Sequence, residues 1–149
     1  MATIDLEIFF MAARKGNIKL LKLCIDNGID IHSGNDYALR LATENNQIET
    51  IKFLLDNGAN ISAFDDTVLR LASCSGNVEI IQKILEKGFC NHDAKLYAMY
   101  NAILHGHVEI VKLLLKHGIS PTENDCAVLR VVKMCRYENV IALFEDYLN

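Results

Sequence analysis

Glycine recurs along this chain at a fixed interval, and that interval limits the folds open to it. Gly28, Gly58, Gly88 and Gly118 stand 30 residues apart. Residues 36–61, 66–91 and 96–121 also share one pattern of apolar and polar positions. A constant period of roughly 20 to 50 residues is typical of a solenoid, in which each repeat is one supersecondary unit. The interval therefore predicts a stack of similar units.

Apolar spacing within one period predicts two helices. Ala38, Leu39 and Ala42 share one side of a short first helix. The second helix carries its apolar residues at similar spacing, at Ile48, Ile51, Leu54 and Leu55. The turn between the two helices has a central residue that tolerates the left-handed conformation, namely Gly16, Asn46, Gly76 and Gly106 in successive repeats. Each unit is thus predicted to be a helix, a tight turn, a second helix and a linker.

The ends of these helices carry their own signals. Asp36 and Asp66 are predicted to cap the first helices at their N-termini. Gly58 and its equivalents are predicted to end the second helices at the C′ position. Glu49 and Lys52 are predicted to pair on a solvated helix surface, as their equivalents do.

Five such units fill one predicted domain, residues 1–149. We place them at residues 3–32, 33–62, 63–92, 93–122 and 123–149, with the first and last units degenerate. Each helix pair needs a neighbour to bury its other face. Glu138 and Glu145 stand where earlier units have Val108 and Leu115, which predicts a terminal cap that faces water. The apolar first unit leaves end-to-end self-association open as one interpretation, and coverage by the chain before Asp5 as another.

Composition excludes several classes of protein. The net charge of −4 argues against a dedicated nucleic-acid binder, which would normally carry a basic stripe. No apolar run approaches the roughly 18 residues that span a bilayer, so no membrane association is expected. The five cysteines are odd in number, and Cys24 occupies a position that holds Leu54 one period later. Free thiols indicate a reducing compartment, so we expect a cytoplasmic or nuclear protein.

Histidines and cysteines are the residues of this sequence that come nearest to a metal-binding pattern. His105 and His107 flank Gly106, and His92 follows Cys90 by two residues, but neither spacing matches a structural zinc pair. The chain has no nucleophile elbow, zinc-protease motif, phosphate-binding loop or paired carboxylates. We therefore predict no enzymatic activity, no cofactor and no metal.

The repeated sequence pattern resembles that of the ankyrin repeat family over essentially the whole chain. It is closest at residues 106–118, Gly-His-Val-Glu-Ile-Val-Lys-Leu-Leu-Leu-Lys-His-Gly, and at residues 76–81, Gly-Asn-Val-Glu-Ile-Ile. The resemblance implies an all-α solenoid of five helix-turn-helix repeats. The wording Tyr-Ala-Leu-Arg-Leu-Ala at residues 37–42 also looks like the arrays with a 30-residue period that giant DNA viruses encode.

The linker departs from the family pattern. The period is 30 residues here, against the family's 33. Only 11 steps separate Gly58 from Leu69, too few for a full β-hairpin finger with its Asp-Gly turn. We expect shortened loops in place of these fingers. The linker positions at which the family offers an asparagine to a hydroxylase hold His32, Ser62, His92 and Thr122, so this modification is not carried over.

Ankyrin arrays bind partner proteins along a concave groove lined by the loops and the first helices, and the resemblance implies that mode here. The candidate partner-binding residues are Tyr37, Arg40, Glu44, Asp66, Arg70, Tyr97, Tyr100, Leu104, His105 and Arg130. Four of them, Arg40, Arg70, Tyr100 and Arg130, share one position per repeat. They suit acidic or planar groups on a partner, or else they tie adjacent loops together through backbone carbonyls, Asp36 or Asp66.

The fourth repeat differs most from its neighbours. Tyr97, Tyr100 and Leu104 replace smaller or more polar residues. Exposed tyrosine and leucine often form the centre of a binding surface, whereas the alternative is that these side chains fill local packing. The leading functional hypothesis is a scaffold, monomeric for the most part, that binds a partner protein, such as a viral protein that engages a host factor. The alternative is a structural or self-associating module without a dedicated partner.

Overall fold

A computed structural model describes residues 5–61, 67–88 and 90–149, apart from the side chains of residues 67 and 123–125. These residues form ten helices and no strand, which confirms the all-α class and the helix-turn-helix repeat. The helices are α1 Leu6–Lys15, α2 Ile18–Asp26, α3 Ser33–Glu44, α4 Ile48–Asp56, α5 Thr67–Ser75, α6 Val78–Lys87, α7 His92–Leu104, α8 Val108–Lys116, α9 Glu123–Met134 and α10 Glu138–Leu148. At a level above the single repeat, the chain divides into two larger compact units. We call Met1–Leu71 the first unit and Ala72–Asn149 the second unit.

In the first unit two helix pairs pack side by side. The first helices, α1 and α3, contact each other, and so do the second helices, α2 and α4. Ala12 and Ala42, both fully buried, leave room for the first helices to approach closely. The larger core residues of this unit are Phe9, Leu21, Leu39, Ile51, Leu54 and Leu55. Burial of each such side chain contributes about 1.5–3 kcal/mol. The stability of this unit therefore depends on the core that its two helix pairs share.

The second unit repeats the arrangement. Helix α7 contacts its own partner α8 and the next first helix α9, while α8 contacts α6 and α10. Its buried core is formed by Ile80, Ile81, Ile84, Met99, Ala102, Ile103, Ile110, Val111, Leu114, Val128, Val140 and Phe144. Within this unit, first helices therefore pack against first helices and second helices against second helices, as the repeat period predicts.

In each of the first four repeats the turn between the paired helices contains one left-handed residue, as the sequence predicts. The φ angles are 73° at Gly16, 55° at Asn46, 78° at Gly76 and 74° at Gly106. Asparagine is the non-glycine residue that best tolerates this region, which explains its use in the second repeat. In the fourth repeat the turn closes when His107 N–H donates to the Ala102 carbonyl at 2.9 Å.

Side chains of the following repeat cover three of these turns. Gln47 lies over Gly16, His107 over Gly76 and Tyr137 over Gly106, so a β-carbon on any of these glycines would overlap the covering side chain. Gln47 Nε2 also donates to the Arg14 carbonyl at 3.3 Å. Because the covering residue belongs to the adjacent repeat, this contact fixes the register of neighbouring repeats within each unit.

The predicted cap at Asp36 is wrong. The first turn of α3 contains three left-handed residues in succession, Gly34, Asn35 and Asp36, with φ angles of 65°, 60° and 56°. Asp36 is buried, and its Oδ1 accepts a hydrogen bond from Asn60 N–H at 2.8 Å and lies 3.0 Å from His32 Nδ1. The carboxylate therefore ties the start of one repeat to the linker after it. Asp66, the second predicted cap, lies outside the described residues.

The linkers are short, as expected. Helix α6 ends at Lys87 and α7 begins at His92, where the Asn91 side chain accepts a hydrogen bond from Ala94 N–H at 2.8 Å. No strand forms in the described parts of the linkers, so the expectation of shortened loops in place of β-hairpin fingers holds there. Residues 62–66 and 89 are not among them.

The second helices carry a solvated charged surface. Lys52 Nζ pairs with Glu49 Oε1 at 3.2 Å and Lys112 Nζ with Glu109 Oε1 at 2.8 Å, which confirms the predicted pairs. Each such pair, three residues apart on a helix, contributes about 0.2–0.5 kcal/mol. The described helices include none long and apolar enough to cross a membrane.

Cys24 lies in the core, as its equivalence with leucine predicts. It is fully buried, and none of the five cysteines is bridged. Burial raises the pKa of the Cys24 thiol, and the negative charge of Asp5 adds to this shift. The thiol therefore acts as a small apolar side chain.

Candidate protein-binding surface

An apolar stripe runs along the exposed side of α7. Tyr97 and Leu104 are seven residues apart, which places them on one side of the helix two turns from each other. Tyr97 is 65% exposed and Leu104 is 51% exposed. Tyr100 lies between them and meets the Tyr97 ring edge to face, with 6.4 Å between ring centroids. Three of the predicted partner-binding residues are thus on this helix, and a fourth, His105, caps its C-terminus.

Helix α9 extends this stripe with a residue that sequence reasoning missed. Met134 is 78% exposed and occupies the position 30 residues after Leu104. Helices α7 and α9 pack against each other, and adjacent packed helices lie about 8–10 Å apart. We name the surface formed by Tyr97, Tyr100, Leu104, Arg130 and Met134 the α7–α9 surface. The repeat register was the signal that could have identified Met134.

The two histidines at the end of α7 have different surroundings. His105 is exposed, and its Nδ1 donates to the Asn101 carbonyl at 2.8 Å. His107 is half-buried over Gly76, and its Nε2 donates to the Cys74 carbonyl at 2.9 Å. The rings stack with centroids 6.1 Å apart. His107 therefore belongs to the packing between repeats, while His105 stands at the edge of the α7–α9 surface. No group of three or more potential metal ligands forms among the residues that the structure describes.

In the first unit the predicted residues Tyr37, Arg40 and Glu44 lie together on α3. The Arg40 guanidinium lies over the Tyr37 ring, 4.5 Å from its centroid. Arg40 Nε also lies 3.6 Å from Glu44 Oε1. These contacts connect residues of one helix and add a cation–π interaction to an ion pair.

The four residues that share one position per repeat do not share one environment. Arg40 and Tyr100 are half-buried, whereas Arg70 and Arg130 are exposed. The Tyr100 hydroxyl is shielded from solvent and has no hydrogen-bond partner among the described residues. Asp66, which was expected beside Arg70, lies outside those residues. The position thus combines packing at Arg40 and Tyr100 with exposed charge at Arg70 and Arg130.

Comparison with known proteins agrees with this repeat geometry. The family model for ankyrin repeats in three copies matches residues 5–65 and residues 60–125. The chain belongs to the ankyrin repeat family. No curated protein sequence matches the chain at a significant level.

Membership of the ankyrin family gives the described surfaces a general role. Ankyrin repeats generally mediate protein–protein interaction, and ankyrin repeat proteins are typically scaffolds rather than enzymes. The exposed apolar side chains on α7 and α9 of this ankyrin chain are the kind of feature through which a scaffold binds.

Proposed function

We propose that this ankyrin chain binds a partner protein through the α7–α9 surface. The observation that carries the proposal is the presence of three large apolar side chains on two adjacent first helices, with Tyr97 65%, Leu104 51% and Met134 78% exposed. A contiguous patch of exposed apolar side chains often marks a site of protein–protein interaction. Tyrosine in particular is enriched where binding energy is concentrated.

Local packing does not account for Tyr97 and Leu104. The apolar residue beside them in the sequence, Ile103, is fully buried and fills the space between α7 and its neighbours. Tyr100 is half-buried and does contribute to packing. Ile103 and Tyr100 therefore contribute to packing, whereas Tyr97 and Leu104 are exposed. The exposure of these two side chains supports a role in binding a partner.

The charge around the apolar centre favours an acidic partner surface. Arg130, Lys133 and Arg136 are exposed on or just after α9. Basic residues at the rim attract acidic partners and fix their orientation. We therefore propose a partner that presents apolar side chains flanked by carboxylates, and no nucleic acid, because the chain as a whole has a net charge of −4.

The cellular setting is a proposal of the same kind. Five unbridged cysteines support a reducing compartment, in the cytoplasm or the nucleus. The wording Tyr-Ala-Leu-Arg-Leu-Ala at residues 37–42 supports a viral origin, in which case the partner is a host protein. Confocal imaging of the tagged chain in cells tests the proposed compartment.

The binding proposal is tested by affinity capture with matched variants of the full chain. The test variant carries Tyr97→Ser, Leu104→Ser and Met134→Ser. The control variant carries Leu6→Ser, Leu23→Ser and Tyr147→Ser, which removes side chains of 43%, 49% and 55% exposure from other surfaces. Thermal unfolding of each variant verifies that both remain folded.

The expected result is a set of proteins captured by the wild type and the control but lost from the test variant. Binding of the purified partner should weaken by at least about tenfold, because several central apolar contacts are removed together. Equal capture by the test variant and the wild type would overturn the proposal.

A second candidate function, self-association, is favoured by a groove between α9 and α10. The groove has a volume of about 280 Å³ and is lined by Leu129, Val132, Lys133, Ile141, Phe144, Glu145 and Leu148. Leu148 is 54% exposed there. Light scattering over a range of concentrations tests this candidate: a mass that rises with concentration in the wild type and stays monomeric in Leu148→Glu supports it.

A further inference from the structure

A cleft in the first unit shares no residue with the α7–α9 surface. It forms between α1 and α3 and has a volume of about 440 Å³. Its apolar walls are Phe10 and Met11 from α1 and Tyr37 and Leu41 from α3. Met11 is 44% exposed, so the apolar wall is open to solvent. This volume falls within the range of roughly 300–1,000 Å³ that is usual for ligand pockets.

The aromatic wall of the cleft is held in place on several sides. Phe10 and Tyr37 meet edge to face with 5.1 Å between ring centroids and perpendicular ring planes. Arg40 covers the Tyr37 ring at 4.5 Å. Gly34 lies so close that a β-carbon there would be 3.1 Å from Tyr37 Cβ and 3.3 Å from Phe10 Cζ. The left-handed turn at Gly34 therefore permits this arrangement, and a ligand would find the wall already formed.

Charges at the two ends of α1 give the cleft a direction. Glu7 lines it from the first turn of α1, and Arg14 and Lys15 line it from the last turn. Seven residues of helix separate Glu7 from Arg14, which corresponds to about 10 Å. A ligand that lies along the cleft therefore meets a carboxylate at one end and two cations at the other. All three charged side chains are exposed and accessible.

We propose that this cleft binds a linear peptide segment in which a large apolar side chain stands within two residues of an acidic one. Leucine, methionine or phenylalanine would lie against Phe10, Met11 and Tyr37, and the carboxylate would pair with Arg14 and Lys15. Arginine binds carboxylates in a two-point geometry that lysine complements as a point charge. The proposal deepens the proposed protein-binding function by naming the chemistry of a segment, on a surface that shares no residue with the first.

The test uses the full chain and a displayed library of random heptapeptides. Three baits are compared: the wild type, Arg14→Glu with Lys15→Glu, and a control with Lys19→Glu and Lys22→Glu. The control makes the same change of charge on α2, where both lysines are exposed and outside the cleft. A peptide selected by the wild type is then labelled, and its affinity for each variant is measured by fluorescence anisotropy.

The expected result is that the wild type and the control select peptides with aspartate or glutamate within two residues of a large apolar residue. The Arg14→Glu, Lys15→Glu bait should select basic residues at that position instead. Its affinity for the labelled acidic peptide should fall by about tenfold or more, since two charge-assisted contacts become repulsive. Met11→Ser should weaken binding as well, because it removes an apolar wall.

Several outcomes would overturn the cleft proposal. One is selection without an apolar–acidic pattern, and another is selection of the same peptides by the charge-reversed bait. A third is a dimer that dissociates on Arg14→Glu with Lys15→Glu, because the occupant would then be a second copy of the chain. The Tyr97→Ser, Leu104→Ser, Met134→Ser variant should keep full affinity for the peptide. If it alone loses the peptide, the cleft proposal fails while the α7–α9 surface stands.

Discussion

The imidazole ring of His107 lies directly over Gly76, and its Nε2 donates a hydrogen bond to the Cys74 carbonyl at 2.9 Å. One side chain thus both covers the turn of the preceding repeat and bonds to its backbone. Gln47 does the same over Gly16 and the Arg14 carbonyl. The register between neighbouring repeats in each unit therefore depends on a contact between a small turn residue and a polar side chain of the next repeat.

Gly76→Ala should destabilise the chain more than Gly118→Ala. Both glycines are left-handed, so each substitution costs about 1 kcal/mol of backbone strain. At Gly76 the new β-carbon would also stand 2.7 Å from His107 Cε1, whereas nothing described lies within 4 Å at Gly118. Displacing the ring also removes a hydrogen bond worth about 1 kcal/mol. Urea denaturation should show Gly76→Ala about 2 kcal/mol below the wild type and Gly118→Ala about half as far.

The same contact provides a control. His107→Gln should retain most of the stability, because glutamine at the equivalent position 47 already donates to the preceding repeat. His107→Ala should lower the free energy of unfolding by about 1 kcal/mol. In that background a further Gly76→Ala change should destabilise the chain less than it does in the wild type. A double-mutant cycle without coupling between the two positions would contradict this account.

The sequence predicts the helices and turns well because both are local. Apolar spacing determines each helix, and the left-handed turns fall where Gly16, Asn46, Gly76 and Gly106 stand. The period shows which residues are equivalent, but it does not show that His107 reaches back over Gly76. That contact joins residues 31 positions apart and depends on how the repeats pack.

The errors in the sequence reasoning have similar causes. Aspartate often caps helices, and Asp36 was predicted to do so for that reason. Its carboxylate instead accepts a hydrogen bond from Asn60 N–H, 24 residues away, because the backbone at residues 34–36 is left-handed. Met134 was not among the predicted partner-binding residues, although it occupies the position 30 residues after Leu104. The period alone did not decide whether Tyr97 and Leu104 are exposed or fill local packing, because that depends on how the neighbouring helices pack.

Tyr100→Phe should leave stability unchanged or raise it by up to about 1 kcal/mol, because it removes a buried hydroxyl that has no partner among the described residues. Tyr97→Phe serves as the control, since its side chain is 65% exposed. Chemical denaturation measures both. A loss of more than about 1 kcal/mol in Tyr100→Phe would show that the hydroxyl is satisfied in solution.

Cys24 should make the chain less stable at alkaline pH. Its pKa is raised in the folded state, so between the unfolded and folded pKa values the folded chain holds a proton that the unfolded chain has lost. The stability that this proton contributes is complete below the unfolded pKa and is lost as pH rises above it. Denaturation midpoints from about pH 8 to pH 10 should fall more steeply in the wild type than in Cys24→Ala.

Cys126→Ala is the matched control for this pH effect, because Cys126 is exposed. Its midpoints should follow those of the wild type across the same pH range. Parallel slopes in the wild type and Cys24→Ala would show that the Cys24 thiol does not titrate differently in the folded and unfolded chains.

Hydrogen–deuterium exchange of the chain, with and without a purified partner from the capture experiment, tests the central claim most directly. The account predicts that binding slows amide exchange in residues 97–105, which include the end of α7, and in residues 130–137, which include the end of α9. The second helices α4 and α8 should exchange as before. Protection confined to α4 and α8, with residues 97–105 and 130–137 unchanged, would contradict it.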